Sequence, residues 1–485
     1  MSYLQLFSGS LRVARWGLCA SGVLAALLAA APAAAAVPCQ GGGVAGLISM
    51  SNARGQTLSA WQDYCSEEEG LTGYEDTQAA LGSIGEGFTD LGTINASGTL
   101  SEPSSVALDD AGGGWVGGTY QRFAGYGPDQ FGPQYESAGG WLAARPPGGA
   151  FGALLALPGG ARVEGVRIAG NASGEVIVAW NTPSALYAAW TSPAGGLEQT
   201  RRFASRGSIL SGVSIDAHGR ALVIAIEGHS ASEGPATIDG RGRKIVTVHG
   251  SFGAPFARPQ VVLQGHNAAS RHQTQYLTEP LVAANPRGGA VIATNVVWRE
   301  DRGEHNEHGE KTLLLALSAQ GRVRPRLTIN APLALPEFAA LAVDGRGRIL
   351  LKEDDGPFLL LAPDGRRLTR WPGETWETCM ASNAVGQIAV SWIVIEAAPH
   401  AAIGAEMVDP DGHHDTPVRF PLVAFGGGPS VSCSIDATGL GMVFWSDQPT
   451  QAQVSTIFAR TIGGPAPTVE VAHDDAFALK PLATP

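Results

Sequence analysis

One spacing recurs along the whole chain: an Asp or Asn stands three residues before a Gly at Asn52/Gly55, Asp109/Gly112, Asn171/Gly174, Asp216/Gly219, Asn285/Gly288, Asp344/Gly347, Asn383/Gly386 and Asp436/Gly439. In nearly every copy an alternating apolar run precedes the pair and another follows it. Asp or Asn at the first position of a tight turn bonds the backbone ahead of it, and Gly supplies the positive φ that closes the turn into the next strand. A single such pair means little, but eight in one strand context define an internal repeat. The strand after the turn ends in Trp six residues beyond the Gly at Trp61, Trp180, Trp392 and Trp445. An indole that recurs at one strand position reads as packing between repeats rather than as a ligand platform.

Each copy carries a second hairpin with its own turn, at 85–87, 147–149, 193–196, 250–253, 320–321, 363–365, 410–412 and 463–464. A copy therefore supplies four short antiparallel strands. Successive Gly anchors are 39 to 69 residues apart and average about 55, the length of a propeller blade rather than of a helix pair in a solenoid. The expected fold is all-β, an eight-bladed β-propeller; the alternative is seven blades with residues 37–100 as an N-terminal cap, because the first copy has the weakest second hairpin. Composition agrees. With 65 Gly, 31 Pro, 16% charged and 44% hydrophobic residues, the chain is neither a helical bundle nor a disordered polyelectrolyte, and it can bury a large core. A net charge of -12 and a pI near 5.4 exclude a sequence-independent grip on nucleic acid or anionic lipid.

On these motifs the chain resembles the secreted bacterial β-propeller repeat proteins, with NHL- and WD40-like blades that read as apolar strand, D-x-x-G, apolar strand ending in Trp, then a P-x-G-G turn. The resemblance spans residues 44–472 and implies architecture alone, since such propellers serve both as binding scaffolds and as enzymes. The sialidase Asp box S-x-D-x-G-x-T-W is not matched, because Asp216 and Gly219 in Ser214-Ile215-Asp216 are three apart.

Arg12 and Arg15 precede an apolar run from Trp16 to Leu28, and an Ala-rich stretch broken by Pro32 ends in Ala34-Ala35-Ala36. This is the pattern of a secretory signal cleaved after Ala36; as an uncleaved anchor it would make a poor span of about 20 residues. The expected organisation is a signal peptide over 1–36, the propeller over 37–475 and a tail over 476–485, in a secreted or extracytoplasmic monomer with no membrane segment after cleavage. Cys39, Cys65, Cys379 and Cys433 remain, an even count suited to an oxidising compartment. Of the three connectivities open to them, sequence proximity favours Cys39 with Cys65 and Cys379 with Cys433.

Strand direction divides the molecule into two faces. The short Gly turns fall on one face, and the longer, more varied connections fall on the other, where function on a repetitive scaffold is usually carried. Three connections on that long-loop face stand out. Residues 118–138 hold Tyr120, Phe123, Tyr126, Phe131 and Tyr135, rings that could stack on sugars or a partner, or fold back as a lid. The exit from the fourth blade holds His266, Arg271, His272 and Tyr276. The fifth blade's connection from Arg299 to Lys311 holds Glu304, His305, Glu307 and His308, nitrogen and oxygen donors for a divalent metal or simply a solvated charged loop. Asp409, Asp411 and Asp415 around Gly412 have calcium-loop spacing, yet they occupy the hairpin position of Pro363-Asp364-Gly365 one blade earlier. No cofactor is expected.

The inner strands offer mainly apolar or small residues, as in SVALDD and VSCSID. The function expected is accordingly a non-catalytic scaffold that binds an extracellular glycan or protein through the long-loop face. The alternative is an extracellular hydrolase or lyase acting on polysaccharide, with two ionisable groups held at a defined separation at the channel mouth.

Overall fold

The computed structural model describes residues 41–473 except 67–74, 96–99, 127–132, 193–194, 206, 229–242, 266, 269–272, 279, 302–305, 325–326, 330–337, 354–355, 374–376, 398–399, 423–429, 448–455 and 463–467. They form eight four-stranded antiparallel blades, a β-propeller, each blade meandering outward in chain order. The inner strands are Gly41–Ser51, Leu100–Leu108, Gly165–Gly170, Ile209–Ile215, Leu281–Ala284, Phe338–Val343, Thr378–Ser382 and Val431–Ile435. Each lies beside the next, and the last lies beside the first. Gly41–Ser51, Thr57–Ser66, Glu75–Ser83 and Gly87–Asn95 make a complete first blade, so the eight-blade expectation holds and the cap alternative falls. Among the described residues one 3-10 turn, Gly160–Arg162, is the only helical element.

Two connections read as loops turn out to be paired strand. The second and third strands of blade 2 run as Gly114–Tyr126 and Pro133–Arg145, with Phe123 opposite Tyr135 and Tyr126 opposite Pro133. Those of blade 5 run as Ala290–Asp301 and Asn306–Leu317, with Arg299 opposite His308 and Glu300 opposite Glu307. Gly and Pro punctuation marks where a chain can turn, but antiparallel pairing continues past it when both arms keep register. In blade 5 the inner edge is also split: Gln273–Leu277 pairs with the far half of the second strand and Leu281–Ala284 with the near half. Tyr276 therefore belongs to the fifth sheet rather than to an exit loop.

The repeated turns bond to one another as well as to themselves. Asn52 Oδ1 accepts the backbone N–H groups of Arg54 and Gln56, both at 3.0 Å, while Gly55 sits at φ 75°, where a side chain would be strained. Around the ring the anchor alternates Asn, Asp, Asn, Asp through all eight blades. The reason is chemical: an amide both accepts and donates, whereas a carboxylate only accepts. Asn52 Nδ2 donates to the Asp109 carbonyl at 2.9 Å, Asn171 Nδ2 to that of Asp216 at 3.0 Å, and Asn383 Nδ2 to that of Asp436 at 3.1 Å. Two of the four carboxylates take cations instead: Arg220 Nε meets Asp216 Oδ2 at 2.6 Å, and Arg348 Nε meets Asp344 Oδ2 at 2.7 Å.

The core lies between the blades. Trp61, Trp180, Trp392 and Trp445 are all buried, and each packs against the blade before its own: Trp180 on blade 2, Trp392 on blade 6, Trp445 on blade 7 and Trp61 on blade 8. Blades 1 and 8 pack together and close the ring. Trp445 stacks on Phe420 of blade 7, and it is Phe444, one residue earlier and so on the opposite sheet face, that meets blade 1. Serines at alternate positions complete the seam: Leu47 N–H donates to Ser430 Oγ, Ser49 bonds Ser432 at 2.8 Å, and Ser51 bonds Ser434 at 2.7 Å. Cys379 and Cys433, on the neighbouring inner strands of blades 7 and 8, form a disulfide with Cα atoms 5.7 Å apart, within the normal reach. Cys39 and residues 1–36, read from sequence as a signal, lie outside the described residues, as do residues from 474 onward.

Candidate functional site

A pocket of about 730 Å³ opens on the turn face, opposite to the face favoured by loop length. Its walls are hairpin turns of blades 5 and 6: Asn285 to Ala290, Ala316 to Gln320, Val343 to Ile349, and Pro363 with Asp364. The blade 5 turn beside it departs from the other Asn turns. The fourth position after the turn anchor carries Gln56, Glu175 and Gln387 in the other Asn copies, where each side chain accepts from the anchor amide. In blade 5 that position is Gly289, at φ 87°, where a Cβ would lie 2.1 Å from the Leu317 carbonyl oxygen. Only glycine fits there, and no side chain fills the space above it. Asn285 Oδ1 still closes its own turn by accepting the Arg287 N–H at 2.8 Å. Among the described residues its amide nitrogen has no partner, in contrast to the other three Asn anchors.

Ala290, Val291, Ala316, Leu317, Ala319, Val343, Ile349 and Pro363 give the pocket an apolar floor, and Arg220, Arg287, Arg324 and Arg346 bring four guanidiniums to it against one carboxylate, Asp364. The four cations are held differently. Arg220 is pinned by Asp216. Arg287 Nε donates to the Ala384 carbonyl of blade 7 at 3.1 Å. Arg346 Nη1 donates to the Pro410 carbonyl at 2.6 Å and stands 3.8 Å from the exposed Asp411. Arg324 is exposed, with no side-chain partner among the described residues. The turn backbones are already engaged, as in Gly288 N–H to Asn285, Gly321 N–H to Ser318 and Gly347 N–H to Asp344. The pocket therefore offers a ligand side-chain donors on a rigid frame.

A second polar cluster lies at the joint of blades 6 and 7. Glu406 is fully buried; its Oε1 accepts from Trp371 Nε1 at 2.5 Å, and His414, stacked on Trp371, places Nδ1 3.4 Å from Oε2. Burial pushes the carboxyl up to about 7 against the Trp371 bond and the nearby His414, which favour ionisation, while Asp415 adds to the rise. The proton is thus held more tightly in the folded than in the unfolded chain. The stability this contributes is complete below about pH 4.5 and is lost as pH rises through about 7, an effect on the order of 3 kcal/mol. Glu406→Gln is expected to remove that part of the fall in thermal midpoint between pH 5 and 8. Parallel pH profiles for the two proteins would contradict this assignment.

The residues singled out from sequence lie on the sheets of blades 2 and 5 or outside the described residues. Tyr120 is half-buried, tilted against Trp141 at 6.3 Å, and its hydroxyl pKa is raised by burial. Phe123, Tyr126 and Tyr135 lie on the paired strands of blade 2, and Phe131 falls outside the described residues. His266, Arg271, His272, Glu304 and His305 also fall outside them, while Tyr276, Glu307 and His308 are strand residues of blade 5. No group of three metal-ligating side chains occurs among the described residues. Asp409 is engaged in its own turn, with Oδ1 accepting from the N–H groups of Asp411 and His413, the ordinary hairpin role. The arginine pocket was overlooked because its walls are the repeated turns. Its sequence signal is Gly288-Gly289 where the other Asn copies have Gly followed by Gln or Glu, together with an arginine at or near three of the turns around it, Arg287, Arg324 and Arg346.

No protein-family model matches the chain, and no curated protein does. Solved structures do resemble it: an ulvan lyase, a polysaccharide lyase, at 10% identity over 87% of this chain and 95% of that one, TM-score 0.44. A puromycin hydrolase aligns at 15% identity over 77% of this chain and 55% of that one, TM-score 0.42. A prolyl oligopeptidase B from Galerina marginata aligns at 9% identity over 84% and 56%, TM-score 0.40.

Proposed function

We propose that the chain is a non-catalytic binding propeller, secreted through its N-terminal signal, that takes an extracellular glycan in the pocket between blades 4, 5 and 6. The observation that carries this reading is the pocket itself: an open, preformed concavity walled by internally hydrogen-bonded hairpin turns, with the Arg324 guanidinium and the Asn285 amide nitrogen free of side-chain partners among the described residues. Preorganised sites of this kind lose little freedom on binding. The cystine between blades 7 and 8 suits an oxidising compartment, and no helix among the described residues is long and apolar enough to cross a membrane.

The hydrolase or lyase reading has one observation in its favour. Glu377, exposed just before the inner strand of blade 7 but hemmed in by protein, has its carboxyl pushed up to about 7 by desolvation against a bond from the Val431 backbone, a value suited to a general acid. One experiment separates the two. The purified mature protein is screened against immobilised neutral and acidic polysaccharides while the release of new chain ends is followed. Gln320→Trp, an exposed turn substitution that fills the pocket, is expected to weaken capture at least about tenfold, whereas deleting 122–135 from the blade 2 hairpin should leave it unchanged. Release of chain ends that stops in Glu377→Gln would replace the binding reading with the enzymatic one.

A further inference from the structure

Resting on that reading of the pocket, we infer that its ligand is an acidic polysaccharide bearing carboxylate or sulfate groups on successive sugars, held by Arg287, Arg324 and Arg346. The chain as a whole is strongly acidic, at -12. Apart from Arg220, which Asp216 neutralises, three guanidiniums face one lining carboxylate and invert that sign locally. Arg287, Arg324 and Arg346 are exposed, Arg287 and Arg346 each giving one nitrogen to a blade 7 carbonyl, whereas Arg348, the structural arginine of the same turn, is buried on Asp344.

The shape of the site selects among anions. Its lining residues include no aromatic ring, so it has no stacking platform for nucleic-acid bases, which single-strand binders use. The hairpin backbones around it are already bonded, so an acidic peptide finds no free strand edge to extend. What remains suits a sugar acid. A ring's C–H face can rest on Ala316 and Pro363, while the unengaged amide of Asn285 and the exposed amide of Gln320 meet hydroxyls. The guanidiniums meet the anionic substituents in the planar two-point geometry that arginine offers and lysine does not. Placement on two blades, Arg287 and Arg324 on blade 5 and Arg346 on blade 6, calls for more than one anionic group along the ligand.

Titration calorimetry on the mature full-length protein tests this with four probes: polygalacturonate for carboxylates, dextran sulfate for sulfates, dextran as the neutral chain and polyglutamate as an acidic peptide. Binding to at least one acidic probe and none to dextran is expected, weakening at least tenfold between 50 and 300 mM salt as charged contacts are screened. Arg287→Gln with Arg324→Gln should reduce affinity at least thirtyfold with an unchanged melting temperature, and Arg366→Gln with Arg367→Gln, exposed on blade 6 outside the pocket lining, should not. Preference between polygalacturonate and dextran sulfate identifies the substituent. Dextran bound as tightly as the acidic probes, with Gln320→Trp abolishing it, would overturn the anionic ligand while keeping the pocket. Indifference of all binding to Gln320→Trp would overturn the pocket as well. Equal binding of polyglutamate, loss of affinity in the Arg366/Arg367 control, or no binding to either acidic probe would each overturn the proposal.

Discussion

Arg348→Ala is expected to destabilise the protein by about 3–5 kcal/mol, the cost of stranding a buried charge without its partner. Asp344 is fully buried, and Arg348 Nε lies 2.7 Å from its Oδ2. The same guanidinium donates from Nη2 to the carbonyls of Gly386 at 2.6 Å and Asp409 at 2.8 Å. One side chain thus joins the inner turn of blade 6 to both turns of blade 7, and its removal leaves a carboxylate and two carbonyls short of donors. Chemical denaturation read by tryptophan fluorescence measures the loss. The double variant Asp344→Asn with Arg348→Met should recover part of it, because the uncompensated charge is then gone. A single variant within 1 kcal/mol of the parent would show that water replaces the guanidinium, and the pair would then count for little.

Trp61→Ala should cost a comparable amount, about 3–5 kcal/mol for a large side chain removed from a packed interior. Its indole fills the seam between blades 1 and 8 beside Met442, Phe444, Ile457 and Ala459. That seam differs from the other seven in joining segments far apart in the chain, so loosening it exposes two apolar sheet faces at once. Binding of a hydrophobic dye should therefore rise in Trp61→Ala more than in Trp445→Ala, whose cavity lies between the consecutive blades 7 and 8, cross-linked by Cys379 and Cys433. Equal dye binding by the two variants would argue that ring closure does not depend on Trp61.

The contrast between these residues shows how far local chemistry reaches. Asp344, Arg348 and Trp61 could all be placed from sequence on their turn or strand, because D-x-x-G closes a hairpin in any surroundings. Which blade each contacts could not be placed. The alternation of Asn and Asp around the ring is visible along the chain, yet both residues cap their own turn alike, and only the neighbouring turn reveals why Asn52, Asn171 and Asn383 need a donor that Asp216 and Asp344 lack. Likewise, the Gly and Pro residues between Tyr126 and Pro133 marked a long loop, while the register of Phe123 with Tyr135 shows a continued hairpin.

Blade number, strand order, the closing partnership of the first and last blades and the cystine between blades 7 and 8 followed from the repeat, since a period of strands and turns dictates how each copy folds and which copy it adjoins. The pocket did not. It exists because the turns of blades 5 and 6 stand beside each other, and because arginines up to 126 residues apart in sequence, from Arg220 to Arg346, are carried to one place by the ring. A chain's local pattern specifies its own turns and strands; a concavity is made of the space between several of them, and that space is set only when the blades pack.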